Sequence, residues 1–268
     1  MMTAFWCLQV NGGHSPGARP LYVSAAFILE EGLALADLER IVRSMQEACA
    51  TAGVMLVTGD TKVVNRGSVD KIFITTSGIG IIEHELTIAA DQAQVGARII
   101  LSGTIADHGM AVMSKREGLE FETETVSDTV ALNSLVATML AESAAIHCLR
   151  DPTRGGVVTT LHEIARRSQV GMVIEEQHIP LREEVKGACE LRGIDPLYVA
   201  NEGKLVAIVG REAAEQIVEC MRGHRDGQAA RIIGEIVADH PGMVVMRTGI
   251  GGSRIIDLPL GEQLPRIC

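Results

Sequence analysis

An aspartate and a lysine stand two positions apart in Thr58-Gly59-Asp60-Thr61-Lys62. A carboxylate and an ammonium at that spacing suit Mg²⁺ and a phosphate or polarised oxygen, with Asp60 as an oxygen ligand and Lys62 as a point charge. The same residues also fit a solvated turn, and the Walker A frame G-x-x-x-x-G-K-[ST] is absent. A second stretch, Arg150-Asp151-Pro152-Thr153-Arg154-Gly155-Gly156, directly precedes a segment of helical periodicity. Free amides and the dipole at a helix start attract anions, and glycines let the backbone approach a phosphate. The competing reading is a capped helix start, with Asp151 or Thr153 as the cap. A third, Asn201-Glu202-Gly203-Lys204, has ordinary turn composition, and its glutamate reads either as an exposed charge or as a general base. The chain ends in Leu264-Pro265-Arg266-Ile267-Cys268. Pro259 and Pro265 oppose a helix there, so Cys268 is either incidental to a frayed end or a nucleophilic thiol on an extended arm.

Hydrophobic periodicity supplies the elements that must hold these stretches. It predicts a strand over Leu21–Leu29 and a helix over Leu35–Gly53, whose Leu35, Leu38, Ile41, Val42, Met45 and Cys49 keep i, i+3, i+4 spacing. A short strand over Val54–Val57 then leads into 58–62 as a loop, and a second strand covers Lys71–Ile82. Gln92–Arg98 reads as a domain link. Beyond it come a strand at Ile99–Ser102 and a helix at Thr129–Leu140, capped by Ser127 or Asp128. The loop at 148–156 opens a helix at Val157–Arg167. Further helices are predicted at Arg182–Leu191 and Ala213–Met221, and strands at Met172–Glu175, Arg231–Val237, Val244–Met246 and Arg254–Asp257. Pro196–Val199 and Leu205–Val209 read as a β-hairpin around the 201–204 turn. Strands and helices alternate without a regular βαβ repeat. That predicts an α+β architecture with helices on one face of a sheet, in two units meeting near residue 93.

Composition excludes several classes. Lys and Arg total 24 against 34 Asp and Glu, a net charge of −10, which argues against a broad nucleic-acid surface. Four Phe, one Trp and two Tyr are too few for base-stacking platforms. No apolar run reaches the ~18 residues of a membrane span, and Met1–Gly13 lacks the pattern of a signal peptide. The expectation is a soluble cytoplasmic protein with no membrane partner. Six cysteines form no C-x-x-C, and Cys49, Cys189 and Cys220 read as small buried hydrophobes.

Taken together, VTGDTKVV (57–64), LRDPTRGGV (149–157), NEGKLV (201–206) and the terminal PRIC (265–268) resemble the HypE family of hydrogenase maturation factors. GARPLYVSAAFILEEG (17–32) and DLPLGEQLPRIC (257–268) are similar too. The resemblance implies an aminoimidazole ribonucleotide synthetase-like (PurM-like) chain. It would have an N-terminal α/β domain over 1–92, a C-terminal α+β domain over 93–258 and a flexible tail over 259–268. It implies a homodimer whose N-terminal domains pair into a barrel, with ATP and Mg²⁺ bound between domains and subunits. Cys268 would receive a carbamoyl group from the carbamoyltransferase HypF. ATP-dependent dehydration would turn it into a thiocyanate, and the cyano group would pass to iron on the HypC–HypD complex. The implied catalytic residues are Cys268, Lys62 at the carboxamide oxygen and Glu202 at its nitrogen. Asp60 and Asp151 fall to the metal, with Thr61, Thr153, Gly155 and Gly156 at the phosphates. The family's further N-terminal segment of roughly 70 residues has no counterpart here. Its Asn-Asp pair aligns with Asn11-Gly12, which removes one acidic ligand.

Overall fold

The computed structural model describes residues 17–117 and 126–258, so Asn11, Gly12 and the 259–268 tail with Cys268 lie outside the described residues. The chain divides into two compact units, one over 18–83 and the other from His84 onward.

The smaller unit is built from β1 (Arg19–Glu30), α1 (Leu35–Ala52), β2 (Met55–Val64) and β3 (Ile72–Ile81). The helix takes its expected span because its apolar spacing is helical, and it stops at Gly53, whose φ of 68° is the left-handed cap conformation. It returns the chain so that β2 runs parallel to β1, while β3 pairs antiparallel on the other side. Val23, Ala25 and Leu29 of β1 and Met45 of α1 are buried. The alternate residues Tyr22, Ala26 and Ile28 face the open side.

The 58–62 stretch is not a loop. It is the middle of β2, with Gly59, Asp60, Thr61 and Lys62 opposite Ala25, Ala26, Phe27 and Ile28. Ladder pairing to β1 overrides the turn-like composition. Strand alternation then sends Asp60 and Lys62 to one face of the sheet and Thr61 to the other.

The larger unit carries a seven-stranded sheet in the order β10-β9-β6-β8-β4-β7-β5. Its elements are β4 (Arg98–Leu101), α2 (Asp107–Glu117), α3 (Asn133–Glu142), β5 (Ile146–Arg150), α4 (Gly156–Ser168), β6 (Gly171–Glu175), α5 (Glu183–Arg192), β7 (Val206–Val209), α6 (Ala214–Gly223), β8 (Arg231–Val237), β9 (Val244–Arg247) and β10 (Ser253–Ile255). Helices cover both faces, not one. Ile99, Leu101, Val206 and Ile208 share a core with Leu161 and Ile164 of α4. The intervening Ile100, Ala207 and Val209 share another with Leu135 and Met139 of α3 and Ile217 of α6. A strand apolar at every position, such as β7, has no side to offer water.

Three further expectations are corrected. Residues 196–198 form a 3-10 turn capped by Asp195, whose Oδ1 accepts from the Leu197 amide at 3.0 Å, and β7 pairs with β4 and β5 in place of a local hairpin. The helix expected at 129–140 is α3, which begins only at Asn133 with Leu132 at its N-cap, so neither Ser127, bonded to the His108 ring and Thr129, nor Asp128, paired with Lys204, caps it. The domain link expected at Gln92–Arg98 lies inside the larger unit. Ile88 and Ala90 are core residues there, and the Ala89 amide donates to His147 O at 3.0 Å. The two units therefore separate between Glu83 and His84.

Ile208 is fully buried and Leu191 is 82% exposed. Chemical denaturation should find Ile208→Ala destabilised by about 2–5 kcal/mol and Leu191→Ala within ~0.5 kcal/mol of wild type.

Candidate active site

Sheet topology gathers the site. β4 and β5 both run antiparallel to β7, so the carboxyl ends of β4 and β5 meet the start of β7 at one end of the sheet. Segments 102–107, 151–155 and 199–205 converge there. Asn201, 1% exposed, ties all three together. Its Nδ2 donates to Pro152 O at 3.1 Å and to Val199 O at 2.9 Å, and its Oδ1 accepts from the Ala106 amide at 2.7 Å. The Ser102 amide and hydroxyl lock the same end to Leu205, at 3.1 and 3.0 Å.

Glu202 follows Asn201 and is 3% exposed. Burial, then the nearby carboxylates of Asp151 and Asp128, push its carboxyl up to about 7. Asp151 accepts from the Thr153 hydroxyl at 2.7 Å through Oδ2. Its buried Oδ1 accepts no hydrogen bond and has the Arg150 guanidinium 3.8 Å away. Lys204, also buried, pairs with Asp128, and its stem lies where a side chain at Gly103 would stand. Asp107 is fully buried on the Thr104 hydroxyl at 2.6 Å and Arg182 at 3.2 Å, and burial raises its carboxyl above the usual range. Burial likewise holds the His108 ring below the usual imidazole range.

The 151–156 stretch is not a side-chain cap. Gly155 occupies the N-cap position of α4, and the Thr153 hydroxyl is turned to Asp151. Gly155 and Gly156 have φ of 72° and 63°, and a Cβ on Gly156 would lie 2.4 Å from Leu197 O. Gly156 is therefore required by close packing of α4 on the segment that leads to Glu202, whereas a Cβ on Gly155 would strike Thr159 of α4 itself.

Five of the residues read from sequence thus lie in one unit at one sheet end: Asp151, Thr153, Gly155, Gly156 and Glu202. Asp60, Thr61 and Lys62 belong to the other unit. There Asp60 and Lys62 are exposed on the open face of β2, and Asp60 Oδ1 accepts from the Thr61 amide at 2.9 Å. Cys268 lies outside the described residues. Asn201, Lys204, Asp128 and Asp107 were missed as site residues. The signal for the first two was their place beside Glu202 in a stretch otherwise taken for a turn.

The buried thiols are no rivals to an acceptor cysteine, since burial pushes Cys148 up to about 12 and Cys189 up to about 11. Among the described residues no three His, Cys, Asp or Glu converge to hold a metal. A cation that takes one carboxylate oxygen plus phosphates and water, as Mg²⁺ does, needs no such cage.

The folded chain keeps the Glu202 proton up to about pH 7, whereas the ordinary value is 4.5. Folding therefore binds a proton in that window, and stability falls as pH rises through it. The stability of Glu202→Gln relative to wild type should improve by on the order of 3 kcal/mol between about pH 4 and about pH 8, read by denaturant titration.

Comparison with known proteins agrees in both units. The N-terminal and C-terminal domain models of AIR synthase related protein match residues 14–82 and 94–246. Carbamoyl dehydratase HypE of Azotobacter vinelandii is 56% identical over 259 residues, 97% of this chain and 76% of that protein. The carbamoyl dehydratase HypE of Escherichia coli K12 is 44% identical over 263 residues, 98% of this chain and 77% of that one. Among solved structures, hydrogenase maturation protein HypE in complex with ATP superposes with a TM-score of 0.89 at 48% identity, covering 94% of this chain and 76% of that one. A HypE–HypF complex gives 0.88 at 50% identity, covering 91% and 79%. Thiamine monophosphate kinase from Aquifex aeolicus, at 20% identity and a TM-score of 0.64, shares the fold alone. With both domain models matched and identity sustained across nearly the whole chain, this protein belongs to the HypE family, built on the two domains of AIR synthase related proteins.

Proposed function

We propose that this chain dehydrates a carbamoyl group carried on Cys268 to a thiocyanate, using ATP, to supply the cyanide ligands of [NiFe]-hydrogenase. The observation that carries the reading is Glu202: a buried carboxyl raised to about 7, beside the Asp151–Thr153 loop at the start of α4. The relatives' name, carbamoyl dehydratase, and a HypE structure holding ATP support it.

The chemistry requires loss of the carboxamide oxygen and two N–H protons. The oxygen of Cys268–S–C(=O)NH₂ attacks the γ-phosphorus, and the bond to ADP breaks. Inorganic phosphate then leaves with that oxygen, the nitrogen gives up its protons, and S–C≡N remains. Mg²⁺, when bound, neutralises charge on the phosphates. Lys62 polarises the carboxamide oxygen, and Glu202, near half-ionised at neutral pH, takes a proton from nitrogen. Asp60 and Asp151 offer oxygens to the metal. Thr153 and the backbone at Gly155–Gly156 would contact the phosphates, whereas Thr61, on the opposite face of β2 from Asp60 and Lys62, would not share their side.

HypF is the donor partner in this reading, which a HypE–HypF complex supports, and the HypC–HypD complex is the acceptor. A homodimer is supported by the open face of the smaller sheet. Tyr22 stands opposite Met55 and Ile79, and Ile28 opposite Phe73. All five are exposed, a patch of the kind that marks an interface. A reactive thiol and ATP chemistry suit the reducing cytoplasm. No helix among the described residues is long and apolar enough to cross a membrane.

The test is the mass of the C-terminal peptide after incubation with HypF, carbamoyl phosphate and Mg·ATP. A cyano group on Cys268 is expected. Glu202→Gln should accumulate the carboxamide, with conversion slowed by about a hundredfold or more, and the wild-type rate should rise with pH through about 7. A wild-type chain that stops at the carboxamide would make this protein a carrier without ATP turnover.

A further inference from the structure

The segment that leads into the tail is tied down by four contacts. The Ile256 amide donates to Val244 O on β9 at 2.9 Å. The Ile256 carbonyl accepts from Nε2 of His162, a residue of α4 only 5% exposed, at 2.6 Å. The Asp257 carbonyl accepts from the Tyr198 hydroxyl at 2.8 Å. Arg254 bonds Asp195, the cap of the 3-10 turn that contains Tyr198, at 2.6 Å. The Ile256 side chain is 1% exposed within the core that α4 helps to form.

Packing stability alone does not account for His162. Its buried Nδ1 has no hydrogen-bond partner, a cost that an apolar side chain would avoid. What the ring achieves is a fixed carbonyl at the last buried residue before the tail. His162 sits on the helix that opens with Gly155 and Gly156, and Tyr198 lies between Leu197, on which Gly156 packs, and Glu202. The two elements that frame the Glu202 site are thus the two that hold residues 254–257.

We propose that His162 and Tyr198 are positioning residues, fixing the origin of the Cys268 arm relative to the Glu202 site. This rests on the reading of Cys268 as the carrier. An arm of ten residues spans at most about 3.3–3.6 Å per residue. Moving the origin changes which points the thiol reaches at all, so the loss appears in the step made on the chain's own site.

The test uses the full chain with Tyr198→Phe and His162→Phe combined, and His162→Gln alone, whose amide keeps a donor near Nε2. Hydrogen exchange reads residues 254–257, and peptide mass reads both total modification of Cys268 by HypF and its conversion to thiocyanate. Nucleotide binding is measured with Mg·ATP. The double variant should exchange faster at 254–257 and keep total modification and ATP affinity within about twofold, while conversion falls by about threefold to tenfold. His162→Gln should stay close to wild type. Unchanged conversion in the double variant overturns the proposal, as does an equal fall in modification, ATP binding and conversion, which marks a merely structural role. A wild-type chain that forms no thiocyanate overturns the dehydratase reading and this proposal with it, whereas the other outcomes bear on this proposal alone.

Discussion

The side-chain amide of Asn201 is the joint on which the larger unit's working end depends. It gives both faces of its hydrogen-bonding capacity to backbone: two carbonyls, Pro152 and Val199, and one amide, Ala106. Those groups belong to three segments that leave or enter different strands. An apolar replacement would strand buried partners, each worth about 1–3 kcal/mol unpaired, and would also remove the shared reference of the three segments. The glycines extend the same constraint. Gly156 lets α4 close on Leu197 and Val199, and Gly203 packs where a Cβ would lie 2.0 Å from Asp128 O. No larger residue leaves the backbone in place.

That rigid frame holds negative charge in excess. Glu202, Asp151 and Asp128 share a poorly solvated region, with Lys204 committed to Asp128. Burial first, and then the charges of Asp151 and Asp128, raise the Glu202 carboxyl, and burial raises that of Asp107 as well. A carboxyl near neutrality is a poor surface group and a serviceable base. It also exists at the expense of stability above its ionisation, the usual pattern where a fold keeps an unfavourable group for chemistry.

Much of this was legible in the sequence. The stretches around Asp60, Asp151 and Glu202 stand out by residue type, and α1 and α4 follow from helical spacing with glycines at the expected ends. What was not legible depends on distant pairing. Thr58-Gly59-Asp60 has turn composition, and only β1 across the ladder makes it strand. The supposed hairpin at 196–209 fails because Asn201 bonds Pro152, nearly fifty residues away, rather than its own neighbours. Helices on both sheet faces were hinted at by the unbroken apolar run of β7, which alternation would have forbidden in a one-sided sheet. The unit boundary expected at 92/93 falls inside the larger unit because Ile88 and Ala90, which precede it, are core there. Burial of Lys204 and Asp128 leaves no trace in local pattern, since a charged pair beside a turn reads as solvated until the chain closes over it.

The central claim is that Glu202 is a carboxyl poised near neutrality by burial and, after it, by the neighbouring aspartates. The direct measurement is a carbon-13 NMR titration of side-chain carboxyls, with Glu202 assigned by comparison with Glu202→Gln. The account predicts a midpoint near 7 that falls when Asp151 is replaced by Asn, because one of the charges raising it is gone. A midpoint at the ordinary 4.5, unmoved by that replacement, would contradict it.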